Sequence, residues 1–360
     1  MPHRVFAPLA VGIGFFALLA GLWIARADPP AASAPAGELA VLKAIPGDGT
    51  GGWDYLTVDP EGKRVYVSRA TRVMVFDIEA GKLLGEVADT TGVHGIALVP
   101  DHNLGFATCG REGAVAVFDL KTLKVSQKVK AGQNPDAILY DPASQKVYAF
   151  NHTSGDITII DPATLDKEPV TLPVGGTLEF AVADGAGHVY VNVEDKNEVA
   201  VIDSKQQKVT AYWPVAPGES PTGLAMDVAH GRLFVGCGNQ KMVVLDAGTG
   251  KVLASPAAGS GIDGVAFDPA LGLAVTANGR DGTLTAVREG PAGQFAVVQT
   301  LTTVKGARTV WGDPKTRRFY LPCNIPGEGG GPPKFGLLVV GAAEGAGMPA
   351  SKPSTVPSAK

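Results

Sequence analysis

The segment DAILYDPASQKVYAFNHTSGDITIIDPATL, residues 136–165, holds three short apolar runs that are each closed by turn residues. AILY ends at Asp141, KVYAF ends at Asn151, and ITII ends at Asp161. Runs of four or five residues that are rich in β-branched and aromatic side chains indicate strands. Proline presets φ and aspartate bonds its own backbone, so the Asp-Pro and Ser-Gly-Asp segments favour tight turns. The segment therefore predicts three short strands.

This unit recurs along the chain with a period near 42 residues. An aromatic residue marks the second strand at Tyr66, Phe106, Tyr148, Tyr190, Phe234 and Tyr320, with Val275 in the remaining position. An aspartate marks the end of the third strand at Asp77, Asp119, Asp161, Asp203 and Asp246. A repeat of this length with four short strands is typical of one blade of a β-propeller. Two markers with one spacing predict seven blades.

The two ends of the repeat region complement each other. The apolar stretch from Glu38 to Ile45 has no partner strands ahead of it, and the last repeat has three evident strands but no fourth. Pairing the first stretch with the last repeat would close the ring and remove exposed sheet edges. We therefore predict an all-β fold, a seven-bladed β-propeller over residues 38–343, closed by the N-terminal strand joining the last blade.

The second strands share a four-residue pattern: YVSR (66–69), FATC (106–109), YAFN (148–151), YVNV (190–193), FVGC (234–237), VTAN (275–278) and YLPC (320–323). The pattern resembles the Tyr-Val-Thr-Asn signature of the YVTN repeat family, also called YncE-like propellers. The segment GAVAVFD (113–119) matches the pattern that follows this signature. The resemblance covers roughly residues 38 to 342 and implies a seven-bladed propeller in the cell envelope. It implies no single activity, because propellers host many functions.

The flanking segments predict export. Residues 1–27 combine Arg4, an apolar run and a small-x-small site ending at Ala27, which is typical of a signal peptide. Because the apolar run is nearly long enough to span a bilayer, an uncleaved N-terminal anchor is the alternative. In both cases the propeller is expected in the periplasm or otherwise exported. Residues 28–37 predict a linker, and residues 344–360 predict a disordered tail.

Polar residues stand at the start of the first strand in every blade, at Asp54, His94, Asp136, Glu179, Thr222, Asp263 and Arg308. In a propeller these positions converge on one mouth of the central channel. The second-strand ends and the loops after them add Arg69, Asn151 and Asn278, with Arg111, His152 and Arg280 nearby. We predict that the ring residues other than Thr222, together with Arg69, Asn151 and Asn278, bind a ligand. The alternative is that each strand simply begins in solvent, where any polar residue would serve.

The chemistry of this ring is left open by the residues alone. Converging carboxylates repel one another, which raises their pKa values or recruits a cation. A hard cation needs several oxygens at about 2.3–2.6 Å, and the ring spacing argues against that. We therefore predict no cofactor and assign no metal ligands, and a divalent cation at the ring is the alternative. The three cysteines fall in separate blades, so we predict no disulfide.

Three functions compete. We favour a non-enzymatic periplasmic binding or scaffold propeller, a monomer that captures a small ligand or an envelope protein at the mouth. It would contact the membrane only through an uncleaved N-terminal segment. The alternative is a metal-dependent hydrolase or lactonase at the same mouth. The third is single-stranded nucleic-acid binding, against which the acidic ring and the formal net charge of −4 argue.

Overall fold

The computed structural model describes residues 1, 3, 38–327 and 331–343 of the chain. Nearly all of the predicted signal peptide (1–27) and all of the predicted linker (28–37) and tail (344–360) lie outside the described residues. Within the described ranges, no helix has the length and apolar character needed to cross a membrane.

The first half of the ring begins with β1 (Leu39–Pro46), which belongs to the seventh blade. Blade 1 contains β2 (Trp53–Asp59), β3 (Arg64–Arg69), β4 (Arg72–Asp77) and β5 (Lys82–Val87). Blade 2 contains β6 (Val93–Val99), β7 (Leu104–Cys109), β8 (Ala114–Asp119) and β9 (Val125–Lys130). Blade 3 contains β10 (Pro135–Asp141), β11 (Lys146–Asn151), β12 (Asp156–Ile160) and β13 (Val170–Pro173).

The second half follows the same order. Blade 4 contains β14 (Leu178–Ala183), β15 (His188–Val193), β16 (Glu198–Asp203) and β17 (Lys208–Pro214). Blade 5 contains β18 (Pro221–Asp227), β19 (Arg232–Cys237), β20 (Lys241–Asp246) and β21 (Val252–Ala254). Blade 6 contains β22 (Ile262–Asp268), β23 (Leu273–Asn278), β24 (Thr283–Glu289) and β25 (Phe295–Thr302). Blade 7 contains β26 (Trp311–Asp313), β27 (Arg318–Ile325) and β28 (Lys334–Ala342). Short 3-10 helices occupy Pro100–His102, Gly110–Glu112 and Glu194–Lys196.

The seventh blade closes the ring as predicted. Strand β1 pairs antiparallel with β28, from Leu39 opposite Ala342 to Pro46 opposite Gly336. The sheet order is therefore β1-β28-β27-β26, with strands from both ends of the repeat region in one sheet. Because this pairing joins the first repeat to the last, the described residues form the predicted all-β, seven-bladed propeller.

The aromatic marker of each repeat lies between two blades. Tyr66, Tyr148 and Tyr320 are fully buried. The hydroxyl of Tyr148 donates to the backbone oxygen of Ser204 in the next blade, at 2.9 Å. Tyr190 makes the equivalent bond to the backbone oxygen of Ala247, at 3.0 Å. In these two repeats the tyrosine thus packs the blade interface and bonds across it, and burying each side chain contributes about 2–3 kcal/mol.

Glycine allows the inner strands to approach closely. A Cβ atom on Gly95 would lie 2.7 Å from the backbone oxygen of Asp136, and one on Gly223 would lie 2.8 Å from the backbone nitrogen of Val265. In both cases the obstructing atom belongs to the inner strand of the next blade. Because a backbone atom cannot move aside, only glycine fits at these positions. Each of these glycines directly follows a residue of the predicted polar ring, so neighbouring inner strands are in close contact there.

Candidate functional site

β-bulges place the polar ring at the mouth of the channel. In blades 1 to 5 the pairing of the first and second strands shifts register at the ring residue, for example between Trp53 and Leu56 and between Pro135 and Ile138. In blade 6 the shift falls between Ile262 and Gly264. A bulge leaves its extra residue outside the ladder and turns its side chain. The ring side chains therefore leave the regular alternation of the sheet and converge on the channel.

One side of the mouth is a chain of ion pairs. Arg308 Nε lies 3.1 Å from Asp263 Oδ2, and its Nη2 lies 3.3 Å from Asp54 Oδ1. The other oxygen of Asp54 lies 2.7 Å from His94 Nδ1. These four residues come from blades 6, 7, 1 and 2, so the pairs connect four successive blades.

The other side centres on Asp136. Its Oδ1 lies 3.3 Å from His94 Nδ1, and its Oδ2 lies 3.8 Å from His152 Nδ1. His152 Nδ1 in turn lies 3.0 Å from Glu179 Oε1. The hydroxyl of Tyr55 donates to the second oxygen of Glu179 at 3.1 Å. The sequence places His152 at the mouth, directly after the end of β11, but its contact with two ring carboxylates comes only from the structure.

Aromatic side chains close the channel beneath these groups. The rings of Tyr55 and Phe180 have centroids 5.0 Å apart, and those of Phe180 and Trp311 are 6.1 Å apart in an edge-on arrangement. The three residues come from the inner strands of blades 1, 4 and 7, so they meet across the channel. The mouth is therefore a polar bowl with an aromatic floor. We call it the mouth bowl: Asp54, His94, Asp136, His152, Glu179, Asp263 and Arg308.

Burial and mutual repulsion set the protonation of the bowl. Burial, followed by Asp54 and Glu179, raises the pKa of Asp136 well above its ordinary value. Burial and Asp54 also raise the pKa of Asp263 to about 7, against the attraction of Arg308. The nearby carboxylate of Glu179 raises the pKa of His152. Asp136, Asp263 and His152 therefore each hold a proton more readily than an isolated side chain of the same type.

Two buried polar atoms in the bowl lack a hydrogen-bond partner of good geometry within the described residues. They are Oδ1 of Asp136 and Nδ1 of His152. Asp136 is only 8% exposed, so solvent offers its carboxylate little compensation. Unpartnered buried polar atoms are uncommon in folded proteins, because each carries a desolvation cost of about 1–3 kcal/mol.

The bowl also contains two groups of possible metal donors that share Asp136. In the group Asp54, His94 and Asp136, and in the group Asp136, His152 and Glu179, one donor atom from each residue lies within 4.8 Å of the others. This spacing is narrower than the sequence led us to expect for the ring.

The structure does not bring Arg69, Asn151 and Asn278 into the bowl. The amide of Asn151 donates to Thr158 Oγ1 at 2.9 Å, inside its own blade, and Asn278 does the same to Thr285. Arg69 is 2% exposed and donates to the backbone oxygens of Gly49 and Gly51. These side chains stabilise strand ends and a loop.

The three cysteines have ordinary structural surroundings. Cys109, Cys237 and Cys323 are buried and carry free thiols. Burial raises the pKa of Cys109 to about 11 and those of Cys237 and Cys323 to about 12. They remain protonated at neutral pH and are poor nucleophiles.

Known proteins resemble this chain chiefly in fold. No family model matches it. Antigen Lp49 of Leptospira interrogans serogroup Icterohaemorrhagiae serovar copenhageni is 40% identical over 67 residues, which are 18% of this chain and 15% of the antigen. The chain thus matches well under two thirds of that relative's length.

Solved structures match over most of the ring. Hydrazine synthase of Kuenenia stuttgartiensis superposes with a TM-score of 0.63 at 16% identity, covering 74% of this chain and 91% of that one. The WD40 repeats of RRP9 superpose with a TM-score of 0.71 at 10% identity, covering 86% and 99%. The chain shares their β-propeller fold. At these identities the likeness concerns the fold alone.

Proposed function

We propose that this protein is an exported, non-enzymatic β-propeller that captures a small, positively charged ligand in the mouth bowl. One observation carries the proposal: four carboxylates from four blades converge on a bowl whose floor is aromatic. The one arginine among them, Arg308, is already held by Asp263 and Asp54. The carboxyl groups of Asp136 and Glu179 can bind a cation in place of a proton, and concave sites with a few convergent polar groups are the usual form of a ligand site.

Export and family membership are part of the proposal. The leader pattern of residues 1–27 and the YVTN-like second strands support a periplasmic member of the YVTN repeat family. Osmotic-shock fractionation should release the protein with the periplasmic contents. Sequencing of its N-terminus should begin near Asp28. Retention in the membrane fraction with an intact N-terminus would favour the anchor instead.

The binding proposal is tested by native mass spectrometry of the purified protein. The wild type should carry a bound adduct, and the double variant Asp136→Ala, Asp263→Ala should lose it. A matched control is Asp184→Ala, Asp227→Ala, which removes two carboxylates at the opposite end of the inner strands. If the mouth variant and the control retain the same adduct as the wild type, the mouth bowl is not the ligand site.

A second function is favoured by the two donor groups that share Asp136. A divalent ion held there would polarise a carbonyl, as a metal-dependent hydrolase or lactonase requires. Chelator-sensitive turnover of lactones by the wild type, absent from Asp136→Ala, would support it. Equal turnover by the wild type and this variant would exclude the bowl as the catalytic site.

A further inference from the structure

We propose that Asp136, His152 and Glu179 bind one divalent first-row transition metal ion such as Zn²⁺. The inference rests on the proposed role of the mouth bowl as a ligand site. It specifies the ligand of the half formed by these three residues, which we call the Asp136 half. The other half, formed by Asp54, His94, Asp263 and Arg308, is held by its own ion pairs.

The Asp136 half differs from the other half in the hydrogen bonds and ion pairs that its donor atoms already make. Asp54 gives one oxygen to Arg308 and the other to His94, so neither oxygen is available without breaking an ion pair. In contrast, His152 Nδ1 makes no well-aligned hydrogen bond to any described residue, although a carboxylate oxygen lies 3.0 Å away. Asp136, more than nine-tenths buried, likewise has an unpartnered oxygen, Oδ1, which lies 3.3 Å from His94 Nδ1, while its Oδ2 lies 3.8 Å from His152 Nδ1. The carboxyl group of Asp136 therefore lies between two imidazoles, and it remains available as a metal donor together with His152 Nδ1.

The distances between the donor atoms are compatible with ligands of a common ion. Nδ1 of His152 lies 3.0 Å from Glu179 Oε1 and 3.8 Å from Asp136 Oδ2. Around a tetrahedral Zn²⁺ with bonds of about 2.0–2.1 Å, neighbouring donor atoms are separated by about 3.4 Å. The observed separations bracket that value, so small side-chain adjustments bring all three donors to one centre.

The donor types select the class of metal. One imidazole nitrogen with two carboxylate oxygens suits Zn²⁺ and its first-row neighbours, whereas Ca²⁺ and Mg²⁺ prefer oxygen donors throughout. Three protein ligands also leave a fourth position open toward the mouth. A dication there offsets the repulsion between Asp136 and Glu179, which otherwise lie close together in a poorly hydrated site.

Tyr55 supports one ligand from outside the donor group. Its hydroxyl donates to Glu179 Oε2 at 3.1 Å, which orients the carboxylate so that Oε1 faces His152. Its ring is in turn fixed against Phe180 in the aromatic floor. Hydrogen bonds of this kind orient metal ligands and strengthen binding. Tyr55 is therefore a positioning residue for the proposed site.

The test is isothermal titration of Zn²⁺ into the full chain after removal of metal with a chelator. The wild type should bind one equivalent, and His152→Gln should weaken binding by at least about 100-fold because one of three ligands is lost. Matched controls are His188→Gln and His230→Gln, which alter His–Asp pairs of 2.8 and 2.7 Å at the opposite face. Both controls should bind Zn²⁺ as the wild type does.

Other outcomes overturn the assignment. If His94→Gln abolishes binding and His152→Gln does not, the metal belongs to the other half of the bowl. If the two controls weaken binding as much as His152→Gln, the ion binds exposed His–Asp pairs. Ca²⁺ binding tighter than Zn²⁺ would contradict the transition-metal class. Circular dichroism of each variant checks folding, and His152 lies in the turn between β11 and β12.

The metal assignment and the broader proposal can fail separately. Asp263→Ala leaves the three donors intact and should retain Zn²⁺ affinity. If the wild type binds no Zn²⁺ while Asp136→Ala, Asp263→Ala still loses its native adduct, the metal assignment alone is wrong. If Zn²⁺ binds as expected and the double variant retains the adduct, the captured ligand lies elsewhere.

Discussion

The inner strands carry carboxylates at both ends, and the two sets are used in opposite ways. At the end opposite the mouth, the carboxylates of Asp141, Asp184, Asp227, Asp268 and Asp313 accept backbone N–H groups of the turn that follows each strand. At the mouth, Asp136 and Glu179 face side chains of other blades. The carboxylates at the turns are satisfied by hydrogen bonds within their own blade, whereas those at the mouth converge on residues of other blades.

Histidines show the same contrast. His188 pairs with Asp184 at 2.8 Å and His230 with Asp227 at 2.7 Å, each within one turn. At the mouth, the 2.7 Å pair of His94 and Asp54 joins two blades. A His–Asp pair therefore does not mark a site by itself. What distinguishes the mouth is that its partners come from several blades and leave donor atoms unpaired.

The largest effect is expected from removing one of the turn carboxylates opposite the mouth. Asp184 accepts hydrogen bonds from the backbone N–H groups of Ala186, Gly187 and His188, at 2.7–2.9 Å. Asp184→Ala should lower the free energy of unfolding by about 2–3 kcal/mol, because these donors lose a charged acceptor. Urea denaturation measures the change, and Zn²⁺ affinity should stay at the wild-type value. Unchanged stability would mean that the turn carboxylates are not structural.

Removing a carboxylate at the mouth should have the opposite sign. Asp136→Asn removes a buried carboxyl group whose charged form is disfavoured by burial and by the neighbouring Asp54 and Glu179. We expect the metal-free variant to be about 1 kcal/mol more stable than the metal-free wild type, because functional sites often trade stability for binding. The variant should also no longer bind Zn²⁺. Urea denaturation of both metal-free proteins measures it. A loss comparable to that of Asp184→Ala would show that Asp136 is a structural residue like those at the opposite face.

The pH dependence of stability should also differ between the two ends. Burial and Asp54 raise the pKa of Asp263 to about 7, while its unfolded value is about 3.9. The folded state therefore holds the extra proton, and this contribution to the free energy of unfolding is lost as pH rises from about 4 to 7. We expect a change on the order of 1 kcal/mol, because solvent at the open mouth screens the charge.

Two variants isolate this effect. Asp263→Asn should flatten the dependence between pH 4 and 7 in urea denaturation. For Asp184, burial raises the pKa but the backbone N–H groups of His188 and Ala186 outweigh it, so the pKa is lowered. The contribution of Asp184 to the free energy of unfolding is present above about pH 4 and is lost in acid. Asp184→Asn should therefore change the pH dependence of stability only below about pH 4. A dependence in Asp263→Asn equal to that of the wild type would contradict the assignment.

The fold followed from the sequence because each blade repeats its own packing. The markers represented by Tyr148 and Asp161 recur with one spacing because most blades place an aromatic residue at their interface and a turn after their third strand. The depth of the polar ring also followed, because it lies at a constant distance from those markers. Periodicity reports position along a strand, and a closed ring makes that position equivalent in all blades.

The direction of individual side chains did not follow. Asn151 ends its strand at the level of the mouth, yet its side-chain amide donates a hydrogen bond to Thr158 within its own blade. Bulges at the ring residues break the regular alternation, so Tyr55 could not be assigned to the floor from its place beside Asp54. His152 lies in a loop whose course no periodicity describes. The donor group of the Asp136 half can therefore be recognised only when several blades are placed together in the structure.

The smallest expected effect separates positioning from packing. Tyr55→Phe removes the hydrogen bond to Glu179 but keeps the ring against Phe180, so the free energy of unfolding should fall by only about 0.5–1 kcal/mol. Zn²⁺ affinity should fall by up to about tenfold, because Glu179 loses the donor that orients it. The matched control is Tyr148→Phe, which loses a bond of similar length between blades, at 2.9 Å, far from the donors. It should lose similar stability and no affinity. Equal Zn²⁺ affinities in the two variants would mean that Tyr55 serves the floor alone and that the two ends of the inner strands differ less than their contacts indicate.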